Sequence, residues 1–160
     1  MSIDNSVSLM TRLAELKHST TLFLESIRGE YLKVLLESQA EVWAHSNTII
    51  ERVTRLYFDS SDLPVLYCTS HLNKSNLTVQ EYTSLAEGLL PLGIVFHRYN
   101  HAHSIKKTNV VLSEEINRDI ARSLNVTSPL IFQKRYDYWV GDRQIGYICE
   151  FFNEESLDRV

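Results

Sequence analysis

Two charged residues stand where a charge is costly. Residues 49–58 (IIERVTRLYF) have the alternation of a β-strand, so Ile50, Arg52, Thr54, Leu56 and Phe58 share one face. Residues 145–152 (IGYICEFF) likewise set Glu150 on one face with Ile148 and Phe152, opposite Tyr147, Cys149 and Phe151. A charge buried among apolar neighbours costs several kcal/mol unless it is paired. Three arrangements remove that cost. Arg52 and Glu150 pair with each other, their faces are solvated, or they line a pocket where the guanidinium receives an anion and the carboxyl meets a polar group. A guanidinium fork matches a carboxylate in shape and charge, which makes the pocket chemically reasonable.

Other reactive side chains carry weaker signals. His97, His101 and His103 form an H-x3-H-x-H cluster, and histidine is a zinc ligand. The cluster straddles a strand end and a turn, with no cysteine or acid adjacent, so a polar turn accounts for it and no metal or other cofactor is expected. Cys68 and Cys149 sit on strands, as small core residues rather than nucleophiles. Lys134 and Arg135, with Tyr136, Tyr138 and Trp139, have the composition of a nucleic-acid surface, but alternation splits them between faces. Lys106 and Lys107 are expected on a solvated face. No glycine-rich phosphate loop occurs.

The elements that hold these residues follow from periodicity. Leu9, Leu13 and Leu16, then Ser19-Thr20-Thr21 followed by Leu22, Phe23, Leu24 and Ile27, make the first 28 residues helical, with Gly29 as the stop. Residues 31–37 fit a half-buried strand. Residues 49–58 and 65–72 form a hairpin around the turn 59–64. Thr78-Val79-Gln80-Glu81 is a capping box whose helix ends near Gly88. After Pro91-Leu92-Gly93 a strand is expected over 94–99, and another ends at Val110-Val111-Leu112. Ser113-Glu114-Glu115 opens a helix through Ile116, Ile120 and Leu124, with Asn125 as a left-handed stop. Residues 130–140 and 145–152 form the last hairpin. Strands joined by hairpins pair antiparallel, so the expected class is α+β: a single antiparallel sheet of about six strands with helices covering one face.

Composition narrows the classes of function. With 160 residues, 44% of them hydrophobic, and only five Gly and three Pro, the chain has a real core, little linker and one domain over 1–160. A net charge of −4 without a basic tail argues against nucleic acid as a partner. No apolar run approaches the roughly 20 residues that cross a bilayer, so no membrane association is expected. Residues 1–5 lack the features of a signal peptide, and two cysteines make no disulfide framework. The expected place is the cytoplasm. Oligomeric state is not legible.

With these elements in place, the chain resembles the chorismate pyruvate-lyase family over residues 18 to 155. Ser19-Thr20-Thr21 with Glu25 looks like that family's Ser-x-Thr helix start. Arg52-Val53 opens a strand running to Asp59 and a turn with Pro64, as in its arginine-bearing hairpin. Pro91-Leu92-Gly93 follows a helix, and Glu150-Phe151-Phe152 lies on the last strand. The family's enzymes carry a bulky apolar residue where Thr20 stands, and a second arginine where this chain has Cys68-Thr69-Ser70. The first hairpin turn is also longer here.

The resemblance implies a chorismate lyase-like fold with a closed pocket between sheet and helices. In it Arg52 would bind a ring carboxylate, the Leu92 main chain and Thr20 would add contacts, and Glu150 would meet the far oxygen. Arg52 and Glu150 would be the catalytic pair, releasing pyruvate from chorismate to leave 4-hydroxybenzoate, by positioning and charge stabilisation and without a cofactor. The cations Arg52, Arg98, Lys106 and Lys107 would attract the small-molecule substrate. The rival is a non-catalytic domain of the same fold that binds an aromatic acid, as in bacterial transcription regulators; another is an enzyme of this fold with a different substrate. About 28 residues precede the first strand, few for a DNA-binding domain, which favours the enzyme.

Overall fold

The computed structural model describes residues 8–157. The expectations that concern residues 1–7, a helical start and the lack of a signal peptide, lie outside them. The chain runs α1 (Leu9–Glu15), α2 (Thr20–Arg28), β1 (Leu32–Ala44), β2 (Asn47–Phe58), β3 (Pro64–Asn73), α3 (Val79–Glu87), α4 (Leu92–Tyr99), β4 (Ile105–Ile116), α5 (Arg118–Leu124), β5 (Leu130–Val140), β6 (Arg143–Phe152) and α6 (Glu154–Leu157). All six strands join one antiparallel sheet in the order β1-β2-β3-β6-β5-β4. The α+β class and the single six-stranded sheet are as expected.

Local chemistry explains most boundaries. Ser19 caps α2 by accepting from the Leu22 amide, and Gly29 ends it in the left-handed region. The Thr78–Glu81 capping box is formed. Glu81 also receives the Arg143 guanidinium, at 2.8 Å from Nη1, which ties α3 to the β5–β6 end of the sheet. Strand β1 extends well past residue 37, because a tight turn at His45 and Ser46, both at positive φ, folds it directly onto β2.

Two expected elements are corrected. Residues 94–99 form helix α4, not a strand. The β-branched and aromatic run Ile94-Val95-Phe96 suggests extended chain, but burying Val95 and Phe96 against the sheet outweighs that preference. Ser113-Glu114-Glu115 does not open a helix, since β4 continues through Ile116, paired with Leu130 of β5. Asn117 is the actual cap of α5, accepting from the Ile120 amide at 3.0 Å, and Asn125 ends it at φ 57° as expected.

Two apolar clusters cover one sheet face. In the first, Leu85 of α3 and Val95 and Phe96 of α4 pack on Ile50, Leu72, Tyr136, Tyr138 and Ile148. In the second, Leu13 of α1 and Leu24 of α2 pack on Leu56, Phe58, Leu66 and Phe152. Between them the face turns polar, and there lie Arg52, Lys107, Lys134 and Glu150. On the other face, α5 sits at one corner through Ala121 and Leu124, against Tyr67 and Phe151.

The centre of the sheet tolerates no added atom at Gly146, which faces Leu72 on β3 and Tyr138 on β5. A Cβ there would lie 2.1 Å from the His71 carbonyl oxygen. Gly146→Ala is expected to lower the unfolding free energy by about 3 kcal/mol, read by urea denaturation.

Candidate functional site

The N-terminal turns of α2 and α4 close over the polar part of the sheet and leave a cavity beneath them. All four residues singled out from the sequence, Thr20, Arg52, Leu92 and Glu150, line it, together with Lys107 and Tyr138. The space open to the centres of water-sized molecules is about 40 Å³, enough for a few waters. Gly93 makes the closure possible, because a Cβ there would stand 2.5 Å from the Ser19 hydroxyl. That is the local use of Pro91-Leu92-Gly93: the proline starts α4 and the glycine lets it approach α2.

Arg52 and Glu150 are both buried, 2% and 3% exposed, so the solvated arrangement is excluded. They do not pair with each other. Arg52 Nη1 donates to Gln39 Oε1 at 3.4 Å and to the Leu85 carbonyl at 3.3 Å, and Nη2 donates to the Leu90 carbonyl at 2.8 Å. Among the described residues its Nε finds no partner. These bonds hold the guanidinium between the end of α3 and the loop before α4, with only part of its fork left over. Burial lowers its pKa to about 10.

Glu150 instead faces Lys107, whose Nζ is 4.0 Å from Oε1. At that length the pair is coulombic only, and among the described residues Oε1 has no hydrogen-bond donor. Lys107 corrects an expectation. It is 7% exposed, not solvated, and its Nζ donates to Thr20 Oγ1 at 2.9 Å and lies 4.7 Å from the Tyr136 ring centre. Desolvation lowers its pKa, with Glu150 opposing. The signal was present, since alternation puts Lys107 on the same face as the buried Ile105. Lys106 and Arg98, also expected to draw in a substrate, are exposed and away from the cavity lining.

Lys134 is a second lysine whose burial beside the site was not expected from the sequence. It pairs across the sheet with Glu150 and is fully buried. Its Nζ donates to the Leu13 carbonyl at 2.9 Å and the Leu16 carbonyl at 2.5 Å, at the end of α1. Burial, then repulsion from Lys107, lowers its pKa to about 8, while Glu150 pulls upward. The neutral groups shift in the opposite sense. Burial raises the Cys68 thiol well above its ordinary value and the Cys149 thiol to about 12, so neither is a ready thiolate. It raises Tyr136 and Tyr138 as well, and the Tyr138 hydroxyl is another buried group without a partner. His101 and His103 stack at 5.3 Å between ring centres, and among the described residues no cluster of His, Cys, Asp and Glu is arranged to hold a metal.

No protein-family profile and no curated protein matches the sequence. Solved structures do. The effector domain of PhnF from Mycobacterium smegmatis is similar at a TM-score of 0.62 and 15% identity, over 86% of this chain and 90% of that one. The C-terminal domain of histidine utilization repressor from Pseudomonas syringae pv. tomato is similar at 0.58 and 9%, over 78% and 92%. A GntR-family transcriptional regulator from Enterococcus faecalis gives 0.57 and 12%, over 76% and 94%. The chain spans 64% of the longer PhnF structure. At these identities the likeness establishes the fold, a chorismate lyase-like sheet with helices.

The expectation of a chorismate lyase is corrected by these matches, which are an effector domain, the C-terminal domain of a repressor and a transcriptional regulator.

The lowered pKa of Lys134 has a stability consequence. Its folded value, about 8, lies below the roughly 10.4 of an unfolded lysine, so the unfolded chain binds more protons between those values. Folding stability contributed by this group therefore rises with pH across that window, and the burial penalty is fully present below pH 8. Relative to Lys134→Met, the parent is expected to gain stability from pH 8 to pH 10 in parallel urea titrations. A constant difference would contradict this.

Proposed function

We propose that this chain is a small-molecule effector-binding domain that holds its ligand without turnover. One observation carries the reading: Arg52 Nε, Glu150 Oε1 and the Tyr138 hydroxyl are buried, have no hydrogen-bond partner among the described residues, and belong to side chains that line one cavity. Each unsatisfied buried polar group costs about 1–3 kcal/mol, so their gathering is explained by a ligand that satisfies them. Arg52 Nε and Lys107 would take an oxyanion, with the Thr20 hydroxyl and the Leu92 main chain beside it. Glu150 would take a hydroxyl or ammonium donor on the other end of the ligand. The narrowness of the cavity calls for a small ligand, or for some opening of α2 and α4.

The shared fold supports this reading, as the similar structures include an effector domain, a repressor domain and a transcriptional regulator. Within a transcription regulator, contact with nucleic acid would fall to a separate unit, in keeping with the net charge of −4 here. Such a regulator works inside the cell, where Cys68 and Cys149 stay as free thiols.

The test is a thermal-shift and calorimetric panel of small carboxylates, phosphate esters and inorganic phosphate, with 4-hydroxybenzoate among them. An anionic class is expected to stabilise the protein and to be recovered chemically unchanged. Arg52→Ala should weaken its binding by about 2–5 kcal/mol. Arg52→Lys, which keeps the charge but loses Nε, should also weaken it. Unaltered affinity in both variants, or conversion of the bound compound, would overturn the reading.

A further inference from the structure

Lys134 joins two parts of the molecule that are far apart in sequence. On one side it is the cross-strand partner of Glu150, a wall of the cavity, and such partners have Cβ atoms about 5 Å apart. Its Nζ and that of Lys107 lie 5.8 and 4.7 Å from the same Tyr136 ring centre. On the other side its ammonium donates to the Leu13 and Leu16 carbonyls, where α1 ends. Helix α1 has seven residues, too few to hold its shape alone in water. It depends on its docking, in which Leu13, Leu9 and Met10 join the apolar cluster, Arg12 lies 5.0 Å over the Phe23 ring of α2, and these two hydrogen bonds hold its end.

We propose that Lys134 makes the docking of α1 depend on whether an anion occupies the cavity. The inference rests on the effector-binding reading and adds the regulation of that site. In the empty cavity two buried ammonium groups share one carboxylate and repel each other. That leaves the charged form of Lys134, the stronger donor to the α1 carbonyls, poorly supported. An anion beside Lys107 and Arg52 supplies the missing negative charge, offsets the repulsion between the two ammonium groups and tightens the hold of Lys134 on α1. By linkage, a docked α1 strengthens anion binding by the same factor. Occupancy is thereby reported at the amino-terminal end of the described chain.

The experiment is amide hydrogen exchange on the full chain with and without saturating inorganic phosphate, binding being followed separately by calorimetry. In the parent, protection over residues 11–16 is expected to rise about five-fold or more, the usual lower range of such couplings. In Lys134→Met phosphate should still bind, while the gain in α1 protection disappears. Ala14→Gly weakens α1 through its backbone, outside the cavity lining, and serves if Lys134→Met does not fold. It should lower phosphate affinity several-fold with the sheet amides unchanged. Phosphate binding with no change at α1 in the parent, or with an undiminished change in Lys134→Met, overturns the coupling and leaves the effector reading standing. If neither phosphate nor any carboxylate of the panel binds, the effector reading fails and the coupling falls with it.

Discussion

Three cations and one carboxylate, Arg52, Lys107, Lys134 and Glu150, lie buried on one face of the sheet, and the rest of the structure is arranged around that imbalance. Buried charge persists only where hydrogen bonds and opposite charge offset its desolvation. Here carbonyl oxygens supply much of the offset. Leu85 and Leu90 hold Arg52, and Leu13 and Leu16 hold Lys134. The helices and loops over the sheet are thus electrostatic partners of the site as well as its apolar cover. Lys107 has only a hydroxyl, an aromatic face and a carboxylate beyond hydrogen-bonding reach. The missing share of negative charge is what an anionic ligand would bring.

The same constraint orders the fold around the site. The two apolar clusters flank the charged strip without crossing it, so water is excluded from both ends while the middle stays polar. The Glu81–Arg143 bridge fixes α3 so that the Leu85 carbonyl reaches Arg52. Gly93 brings α4 against Ser19 and completes the roof. One fold carries both enzymes and ligand-sensing domains, so the architecture leaves the activity open and the side chains in the cavity must decide it.

Much of this was readable from residue order. Period-two alternation placed Arg52 and Glu150 on faces with apolar neighbours, and the hairpins made the sheet antiparallel. Lys107 was misjudged because a Lys-Lys pair reads as a solvated run, although its spacing from Ile105 gives the buried face. Lys134 was assigned a face, but its partners are carbonyls more than 100 residues away, which no local pattern announces. Helix α4 was hidden because Ile94-Val95-Phe96 favours a strand when tertiary burial is left out. The start of α5 was misplaced because Ser113-Glu114-Glu115 has cap-like chemistry, while cross-strand pairing with β5 kept those residues extended. The lyase reading followed from residues that a lyase and an effector domain can hold in common.

The central claim is that the unpartnered edge of the Arg52 guanidinium awaits an anion, and the Nε–H resonance of that side chain tests it most directly. Nitrogen-15 spectra of arginine side chains, with Arg52 assigned by the Arg52→Lys variant, would be recorded as an anion that stabilises the protein is titrated in. The account predicts that the Arg52 Nε–H signal shifts strongly and becomes protected from solvent exchange in step with binding, while surface arginines stay in place. An anion that binds and leaves the Arg52 signal unmoved would contradict it.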